Sequence, residues 1–268
     1  INYEIPISDT YIKSPVIYAG LFADGETTLV EEASSRNHTE LMLKYFGADI
    51  ETQDRVVKVK PVNDLYAQKI VVPGDFSTAA YFIAAGLIVP NSEIIIENVG
   101  VNPTRTGILD VFRMMGANLE VYNTRTVNNE PVADIRAFSS NLKGVKVRGE
   151  IIPRMIDEIP LLAIVASAAE GITEIGDIQD LKMRETNRIR NLVRELLKVG
   201  ARAQETDDGI IIEGGRPLKG TIIETYNDYR MAMAFSVAGL VAEGETAIRK
   251  SQCIDVVFPQ FFELLQKL

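Results

Sequence analysis

The chain has very few of the residues that build metal centres and disulfide frameworks. Cys253 is the one cysteine among 268 residues, His38 is the one histidine, and tryptophan is absent. A single cysteine excludes an internal disulfide and a thiolate metal site, and a single histidine excludes a multi-histidine zinc site. We therefore expect no metal. Cysteine use this sparse favours a reducing, cytoplasmic setting.

Several other signals are missing from the sequence. The net charge is −9 and the isoelectric point is near 4.9, so there is no basic surface for nucleic acid. No apolar run approaches the roughly 20 residues of a membrane-spanning helix, and no signal peptide precedes Ile1. P-loop, HExxH, GxSxG and dinucleotide-binding patterns are absent, so we expect no cofactor. A chain that starts at Ile1 indicates a fragment or a processed product.

Similar apolar segments, each ending in small residues and glycine, recur four times along the chain. Gly25, Gly171 and Gly244 each open the same G-x-T step at the end of such a segment. A recurring pattern of this kind predicts one supersecondary unit stacked on copies of itself. The four segments are Ser14–Leu29, Ser77–Ile96, Glu158–Ile175 and Tyr229–Ile248.

Within each unit the pattern predicts helix, strand, helix and strand. The first helix is apolar on nearly every face, as in Ile159–Ala169, which predicts burial on several sides. The second helix is amphipathic and ends at a Gly-Ala pair, where glycine can adopt the left-handed conformation that closes a helix. Those glycines are Gly47, Gly116 and Gly200, and arginines recur ahead of them at Arg36, Arg105 and Arg184. We expect strands at Thr27–Glu32, Ser92–Val99, Ile172–Ile178 and Glu245–Lys250.

A domain boundary is predicted at the stretch PGDFST, where Pro73 and Gly74 punctuate the chain after one complete unit. Residues 1–72 then form the remaining unit of a first lobe. Residues 73–268 form a second lobe of three units, and the last unit stops after Val256–Leu268 without its closing strands. Because residues 1–72 hold a lone unit with uncovered surfaces, we expect self-association.

Charged residues are concentrated beside the predicted helix starts. Asp157 and Glu158 precede a buried helix, and Asp228 precedes the last apolar helix together with Arg230. Carboxylates and arginines at helix N-termini suit an anion site with an acid–base pair. The same carboxylates are also ordinary helix-capping residues, so the two interpretations stay open at this point.

Five collinear stretches resemble the 5-enolpyruvylshikimate-3-phosphate (EPSP) synthases. In chain order they read KSPVIYAGLFADGETTLVEEASSRNHTELML, VVPGDFSTAAYFIAAGL, IDEIPLLAIVA, MRETNRIRNL and YNDYRMAMAFSVAGL. The similarity runs from about Ile5 to the C-terminus and covers the C-terminal portion of a typical member. It implies an α/β fold in which each lobe repeats a βαβαββ unit around a pseudo-threefold axis.

The resemblance also implies a reaction and a set of site residues. An enolpyruvyl group moves from phosphoenolpyruvate to the 5-hydroxyl of shikimate 3-phosphate, through a tetrahedral intermediate that loses phosphate. Asp157 and Glu185 would move the protons. The residues that would bind the two small-molecule substrates are Thr10, Tyr11, Arg36, Arg184, Arg188 and Arg230.

The sequence departs from the family pattern at several site positions. Asp9, Thr10 and Tyr11 replace a serine–glutamine stretch, and Tyr229 replaces a histidine. Val256 stands where a lysine is expected. These departures keep two alternatives open beside the synthase. One is a catalytically inactive relative that serves as a binding or structural module, and the other is an enolpyruvyl transferase with another acceptor.

Overall fold

The computed structural model describes residues 1–5, 10–179, 181 and 187–268, and for Thr10 the backbone alone. Its helices and strands are interspersed along the chain. The helices are α1 Thr10–Gly20, α2 His38–Tyr45, α3 Phe76–Ile88, α4 Gly107–Met114, α5 Ile159–Ala168, α6 Arg188–Lys198, α7 Tyr229–Gly239 and α8 Phe261–Leu265. Short 3-10 turns lie at Gly149–Ile151, Ile156–Glu158 and Ser251–Val256.

In the described part of the chain, the strands form four small sheets rather than one large one. They are β1 Asn2–Ile5, β2 Thr27–Glu31, β3 Ile50–Gln53, β4 Val56–Val59, β5 Glu93–Gly100, β6 Leu119–Val127, β7 Glu130–Phe138, β8 Lys146–Val147, β9 Ile172–Ile175, β10 Arg202–Glu205, β11 Ile210–Glu213, β12 Ile222–Glu224 and β13 Ala247–Arg249. Their orders are β1-β2-β4-β3, β5-β7-β6, β8-β9-β11-β10 and β12-β13.

The predicted repeat is confirmed, and its unit is βαβαββ. In the first unit β1 pairs in parallel with β2, and β2 pairs antiparallel with β4 of the β3–β4 hairpin. The third unit repeats that arrangement with β8, β9, β11 and β10. In the second unit the parallel partner is reduced to a bridge between Gly74 and Val99. The fourth begins with the parallel pair β12–β13, and α8 follows.

Glycine closes the second helix of each complete unit, as the sequence predicts. Gly47, Gly116 and Gly200 have φ values of +95°, +86° and +83°, in the left-handed region that glycine enters at little cost. The first helix of a unit also approaches its sheet at a small residue. A Cβ on Gly20 would lie 3.1 Å from Thr27, and one on Gly239 would lie 3.3 Å from Thr246. Small residues at these positions permit the close packing.

Two separate apolar clusters form the core of the described residues. The smaller contains Ile17, Leu29 and Val57 and lies within the first unit. The larger runs from Phe76 to Leu265 and is built around α3, α5 and α7, which pack against one another. Every residue from Ile159 to Ser167 in α5 is buried, as its apolar sequence predicts. The division into lobes at residue 73 stays a prediction.

A polar network joins the first unit to the rest of the chain. His38 Nδ1, at the start of α2, lies 2.6 Å from Oε1 of Glu130 at the start of β7. Asn102 Nδ2 donates to Oε2 of Glu130 at 3.0 Å and to Oδ1 of Asn37 at 2.8 Å. Asn37 and His38 directly follow Arg36 in the chain. The network therefore holds the segment that carries Arg36 against the second unit.

Candidate active site

A polar cavity of about 340 Å³ lies where the N-terminal ends of α3, α5 and α7 meet the loop after β2. The helices bring together residues from all four units. The cavity is lined by Arg36, Asp75, Ser77, Thr78, Tyr81, Arg105, Asp157, Tyr229, Arg230, Met233 and Val257. A larger surface groove of about 600 Å³ follows the β3–β4 hairpin, away from these arginines, and is lined by residues of that hairpin alone.

The carboxylate of Asp157 lies between two arginines from different units. Its Oδ2 accepts from Arg36 Nη2 at 2.5 Å, and its Oδ1 lies 2.8 Å from Arg230 Nη2. The residue at the N-cap position of α5 is Glu158, not Asp157. Burial on its own would raise the pKa of Asp157, but Arg230 and Arg36 outweigh it and hold the pKa below the usual value. Asp157 is therefore an ionised group of the cavity and not a helix cap.

Arg230 is fixed by its own helix end. Asp228 caps α7 by accepting from the backbone N–H of Arg230 at 2.9 Å. The guanidinium lies 4.5 Å from the ring centre of Tyr229, a cation–π contact. Burial lowers the pKa of Arg230, but Asp157 together with Tyr229, Tyr81 and Asp228 outweighs burial, so the net shift is upward. Burial raises the pKa of Tyr229, which keeps its hydroxyl protonated.

Arg188 lies behind this pair and does not line the cavity. It is the first residue of α6, and its Nε donates to Oδ2 of Asp228 at 2.6 Å. Its Nη1 is buried and has no hydrogen-bond partner among the described residues. Because Asp228 also caps the helix that carries Arg230, one carboxylate aligns both arginines.

A second chain of hydrogen bonds runs along the same wall of the cavity. Arg105 Nη2 donates to Oγ of Ser77, and Ser77 Oγ donates to Oε1 of Glu158 at 2.5 Å. Glu158 is almost fully buried, and this burial raises its pKa to about 7 although Ser77 opposes the shift. The sequence marks Arg105 as a recurring arginine and Glu158 as a helix-start carboxylate. No sequence signal places Ser77 between them.

The structure brings three of the sequence-predicted residues into direct contact: Arg36, Asp157 and Arg230. Tyr11 lies on α1 with 87% of its surface exposed and does not line the cavity. Val256 is 85% exposed, and it is the next residue, Val257, that lines the cavity. Other predicted residues lie outside the described part of the chain: Asp9, Arg184, Glu185 and the side chain of Thr10.

The described residues contain neither a metal-binding cluster nor a membrane-spanning helix. Among residues 1–5, 10–179, 181 and 187–268, no group of three or more His, Cys, Asp and Glu side chains is arranged to hold a metal ion. In the same part of the chain, no helix has the length and apolar character needed to cross a membrane.

The family model and the curated relatives that match this chain agree on one family. The family model described as EPSP synthase (3-phosphoshikimate 1-carboxyvinyltransferase) matches residues 1–265. The chain is 50% identical over its full length to the 3-phosphoshikimate 1-carboxyvinyltransferase of Thermoanaerobacter sp. (strain X514) and 48% identical to that of Desulforamulus reducens. It spans 63% of the first relative and 62% of the second.

Solved structures give the same result for the fold. A 2.37 Å structure of EPSP synthase from Acinetobacter baumannii superposes with a TM-score of 0.94 at 38% sequence identity. The match covers 100% of this chain and 62% of that one. A second structure of EPSP synthase from the same organism gives a TM-score of 0.92 at 37% identity. The fold is therefore the α/β enolpyruvyl-transferase fold, and the chain belongs to the EPSP synthase family.

Proposed function

We propose that this chain takes part in the transfer of an enolpyruvyl group from phosphoenolpyruvate to the 5-hydroxyl of shikimate 3-phosphate. The observation that carries the proposal is the Asp157 carboxylate held between Arg36 and Arg230 in a polar cavity. Both substrates are small anions, and arginine binds carboxylate and phosphate through paired, charge-assisted hydrogen bonds. Membership of the EPSP synthase family supports this choice of reaction.

The proposed chemistry has two steps that need opposite proton transfers. In the addition, the 5-hydroxyl loses its proton, its oxygen bonds to C2 of phosphoenolpyruvate, and C3 gains a proton. In the elimination, C3 loses a proton and the bond from C2 to the phosphate oxygen breaks, which releases phosphate. Asp157 can act as the base in the addition because it is ionised in the cavity and can accept the hydroxyl proton. Glu185 is proposed as the partner that moves the proton at C3.

The remaining residues are proposed to bind the substrates. Arg230 and Arg188 would hold phosphoenolpyruvate, and Asp228 contacts both residues, through the Arg188 guanidinium and the backbone N–H of Arg230. Arg36 would bind the phosphate of shikimate 3-phosphate, and Arg184, Thr10 and Tyr11 would complete the acceptor site. For substrate to enter, the bonds from Asp157 to Arg36 and Arg230 must be exchanged for bonds to the anions. The arginines would keep charge-assisted bonds in this exchange, and Asp157 would gain the acceptor hydroxyl in place of the guanidinium groups.

A second candidate function is that of a catalytically inactive relative that binds the same anions. The observation that favours it is the exposed position of Val256, where the family pattern places a lysine, together with Val257 on the cavity wall. A site that lacks one cation would bind phosphoenolpyruvate more weakly. An enolpyruvyl transferase with another acceptor is the third candidate, and no contact in the cavity favours it over the first two.

The proposed setting has three further parts. We propose two lobes, residues 1–72 and 73–268, supported by the two separate apolar clusters. A cytoplasmic location is supported by the single cysteine. Self-association through α1 is supported by the exposure of Tyr11, Tyr18 and Phe22, since the equivalent helices α3, α5 and α7 are buried against one another. Light scattering that gives a monomer at all concentrations would remove the last proposal.

A coupled assay for phosphate release tests the proposed reaction. The purified chain is mixed with phosphoenolpyruvate and shikimate 3-phosphate, and release should require both. Glu185→Gln should lower the rate by about 100-fold or more, the usual size of a lost acid–base group. Glu120→Gln, at an exposed position on β6, is the matched control. Binding of shikimate 3-phosphate without any release would favour the inactive relative. Unchanged turnover in Glu185→Gln would contradict the role given to that residue.

A further inference from the structure

We propose that Arg105 is an additional anion-binding arginine of the cavity and that Ser77 and Glu158 are the residues that position it. The inference deepens the proposed function and rests on it for the identity of the anion, which would be a carboxylate or phosphate group of a substrate. Binding of a simple anion to Arg105 is the part that can be tested independently.

Arg105 is mostly buried but faces the cavity. It lies in the loop before α4, and its side chain lines the same cavity as Arg36, Asp157 and Arg230 with 19% of its surface exposed. The guanidinium is therefore fixed by protein on most sides and open to the cavity on the remainder. A cation in this setting is partly desolvated, which strengthens its attraction for an incoming anion.

Arg105 differs from the other arginines of the site in its carboxylate partners. Arg36 and Arg230 each have an Asp157 oxygen within 2.8 Å, and Arg188 has an Asp228 oxygen at 2.6 Å. Among the described residues, the carboxylate nearest to the guanidinium of Arg105 is Asp75, at 3.7 Å.

Asp75 already has another role. Its Oδ2 caps α3 by accepting from the backbone and the hydroxyl of Thr78 at 2.8 and 2.7 Å. Of the arginines that line the cavity, Arg105 thus has the charge least compensated by a directly bonded carboxylate. A guanidinium carries five N–H donors, so the bond to Ser77 leaves others for a ligand.

Ser77 and Glu158 hold Arg105 in place through a chain of hydrogen bonds. The Ser77 hydroxyl has one proton, which it donates to the buried carboxylate of Glu158, so that its lone pairs face Arg105. Glu158 has no other role among the contacts described: its side chain makes no capping hydrogen bond to α5. A carboxylate this deeply buried is costly, and the hydrogen bond that it accepts among the described residues comes from Ser77, the residue that holds Arg105.

The charged and titratable groups around Glu158 come from several elements. Asp157 precedes it in the same turn, Arg105 and Arg36 approach from the loops, and Tyr81 of α3 lies close enough to interact electrostatically. Because two of these are arginines of the cavity, a change in the charge of Glu158 changes the field at Arg105. The pH dependence of anion binding at Arg105 should therefore differ between the wild-type chain and Glu158→Gln.

The test is a titration of the whole chain with sulfate, followed by NMR of the arginine side-chain N–H groups. Sulfate is the probe because its charge does not change near neutral pH, unlike that of phosphate. We expect sulfate to shift the Arg105 resonance and Arg105→Gln to weaken sulfate binding about 10-fold, the scale of one charge-assisted bond. Arg113→Gln removes an exposed arginine of α4 that pairs with Asp110, and should leave sulfate affinity unchanged.

Two further variants test the positioning role. Ser77→Ala should weaken sulfate binding a few-fold, whereas Glu158→Gln, which keeps an acceptor for Ser77 but removes the charge, should flatten the pH dependence of sulfate binding around neutrality. Arg105→Lys keeps the charge and should recover part of the affinity, which guards against a folding defect in Arg105→Gln. Equal sulfate affinity in Arg105→Gln and Arg113→Gln would overturn the inference. If sulfate still shifted the Arg36 resonance in that case, the proposed function would stand without a role for Arg105.

Discussion

The carboxylate of Asp157 and the guanidinium of Arg36 are 121 positions apart in the chain and 2.5 Å apart in the structure. The pair joins the loop after β2 to the start of α5, and Arg230 completes it from the start of α7. The two contacts of Asp157 hold residues from three repeated units at one point of the cavity.

Asp157→Asn is expected to abolish most of the proposed activity. The amide cannot accept a proton and cannot balance two guanidinium groups, so phosphate release should fall by about 100-fold or more. Asp110→Asn, on the outer side of α4, removes a carboxylate paired with Arg113 and Arg154 and serves as the control. Turnover in Asp157→Asn within about twofold of the control would show that Asp157 does not move a proton.

Glu158→Gln is expected to change how stability depends on pH. The pKa of Glu158 is about 7 in the folded chain, against 4.5 for an ordinary glutamate, so the folded state holds the proton more tightly. Its contribution to stability is fully present below about pH 4.5 and is lost as the pH rises through about 7, by up to about 3 kcal/mol. The variant should lack this loss.

Urea unfolding of both proteins across that pH range measures the difference. Glu120→Gln, at an exposed position, provides the control and should follow the wild-type curve. A constant offset between Glu158→Gln and the wild-type chain at every pH would contradict the raised pKa.

Lys13→Met is expected to destabilise the first unit. Lys13 is buried in α1, and its Nζ lies 3.2 Å from Glu31 and 2.9 Å from Glu40, both of which are buried as well. Removing the cation leaves two uncompensated buried carboxylates, a change that costs about 3–5 kcal/mol. Thermal unfolding should show the loss, and adding Glu40→Gln should restore part of it. Lys60→Met, which removes an exposed ion pair with Asp49, should leave the midpoint unchanged.

Breaking the contact between His38 and Glu130 is expected to loosen the first unit from the second. Burial alone would raise the pKa of Glu130, but hydrogen bonds from His38 and Asn102 hold it below the ordinary value. The stabilisation is therefore present above the unfolded pKa of about 4.5 and is lost as the pH falls below it.

Hydrogen exchange of the α2 amides measures this effect. Glu130→Gln should speed exchange in α2 at neutral pH while leaving α5 unchanged. Glu93→Gln, which breaks an ion pair with Arg136 within the β5–β7 sheet, is the control and should not affect α2. Equal exchange in both variants would show that the contact does not hold the unit in place.

The fold could be predicted from the sequence because its signals are local and repeated. Gly47, Gly116 and Gly200 mark helix ends through backbone conformation alone, and the apolar run from Ile159 to Ser167 marks a buried helix. Such signals depend on the neighbouring residues and not on tertiary contacts. The order of strands within each sheet needed the structure, because the sequence predicted strands without stating which pairs lie in parallel.

The site could be predicted only in part. Asp157, Arg36 and Arg230 were identified by resemblance, but helix capping remained an open alternative for Asp157 until the structure showed its oxygens bound to two arginines. The bond from Ser77 to Glu158 could not be foreseen, since the residues are 81 positions apart and meet only when α3 packs against the start of α5. From the sequence alone, a serine in the first turn of a helix is predicted to be an ordinary helix-start residue.

A calorimetric titration of the chain with shikimate 3-phosphate tests most directly the claim that this cavity is a substrate site. We predict measurable binding to the wild-type chain and at least about a 10-fold loss in Arg36→Gln, because one charge-assisted pair to the phosphate is removed. No heat of binding at millimolar ligand, or equal affinity in Arg36→Gln, would contradict the account.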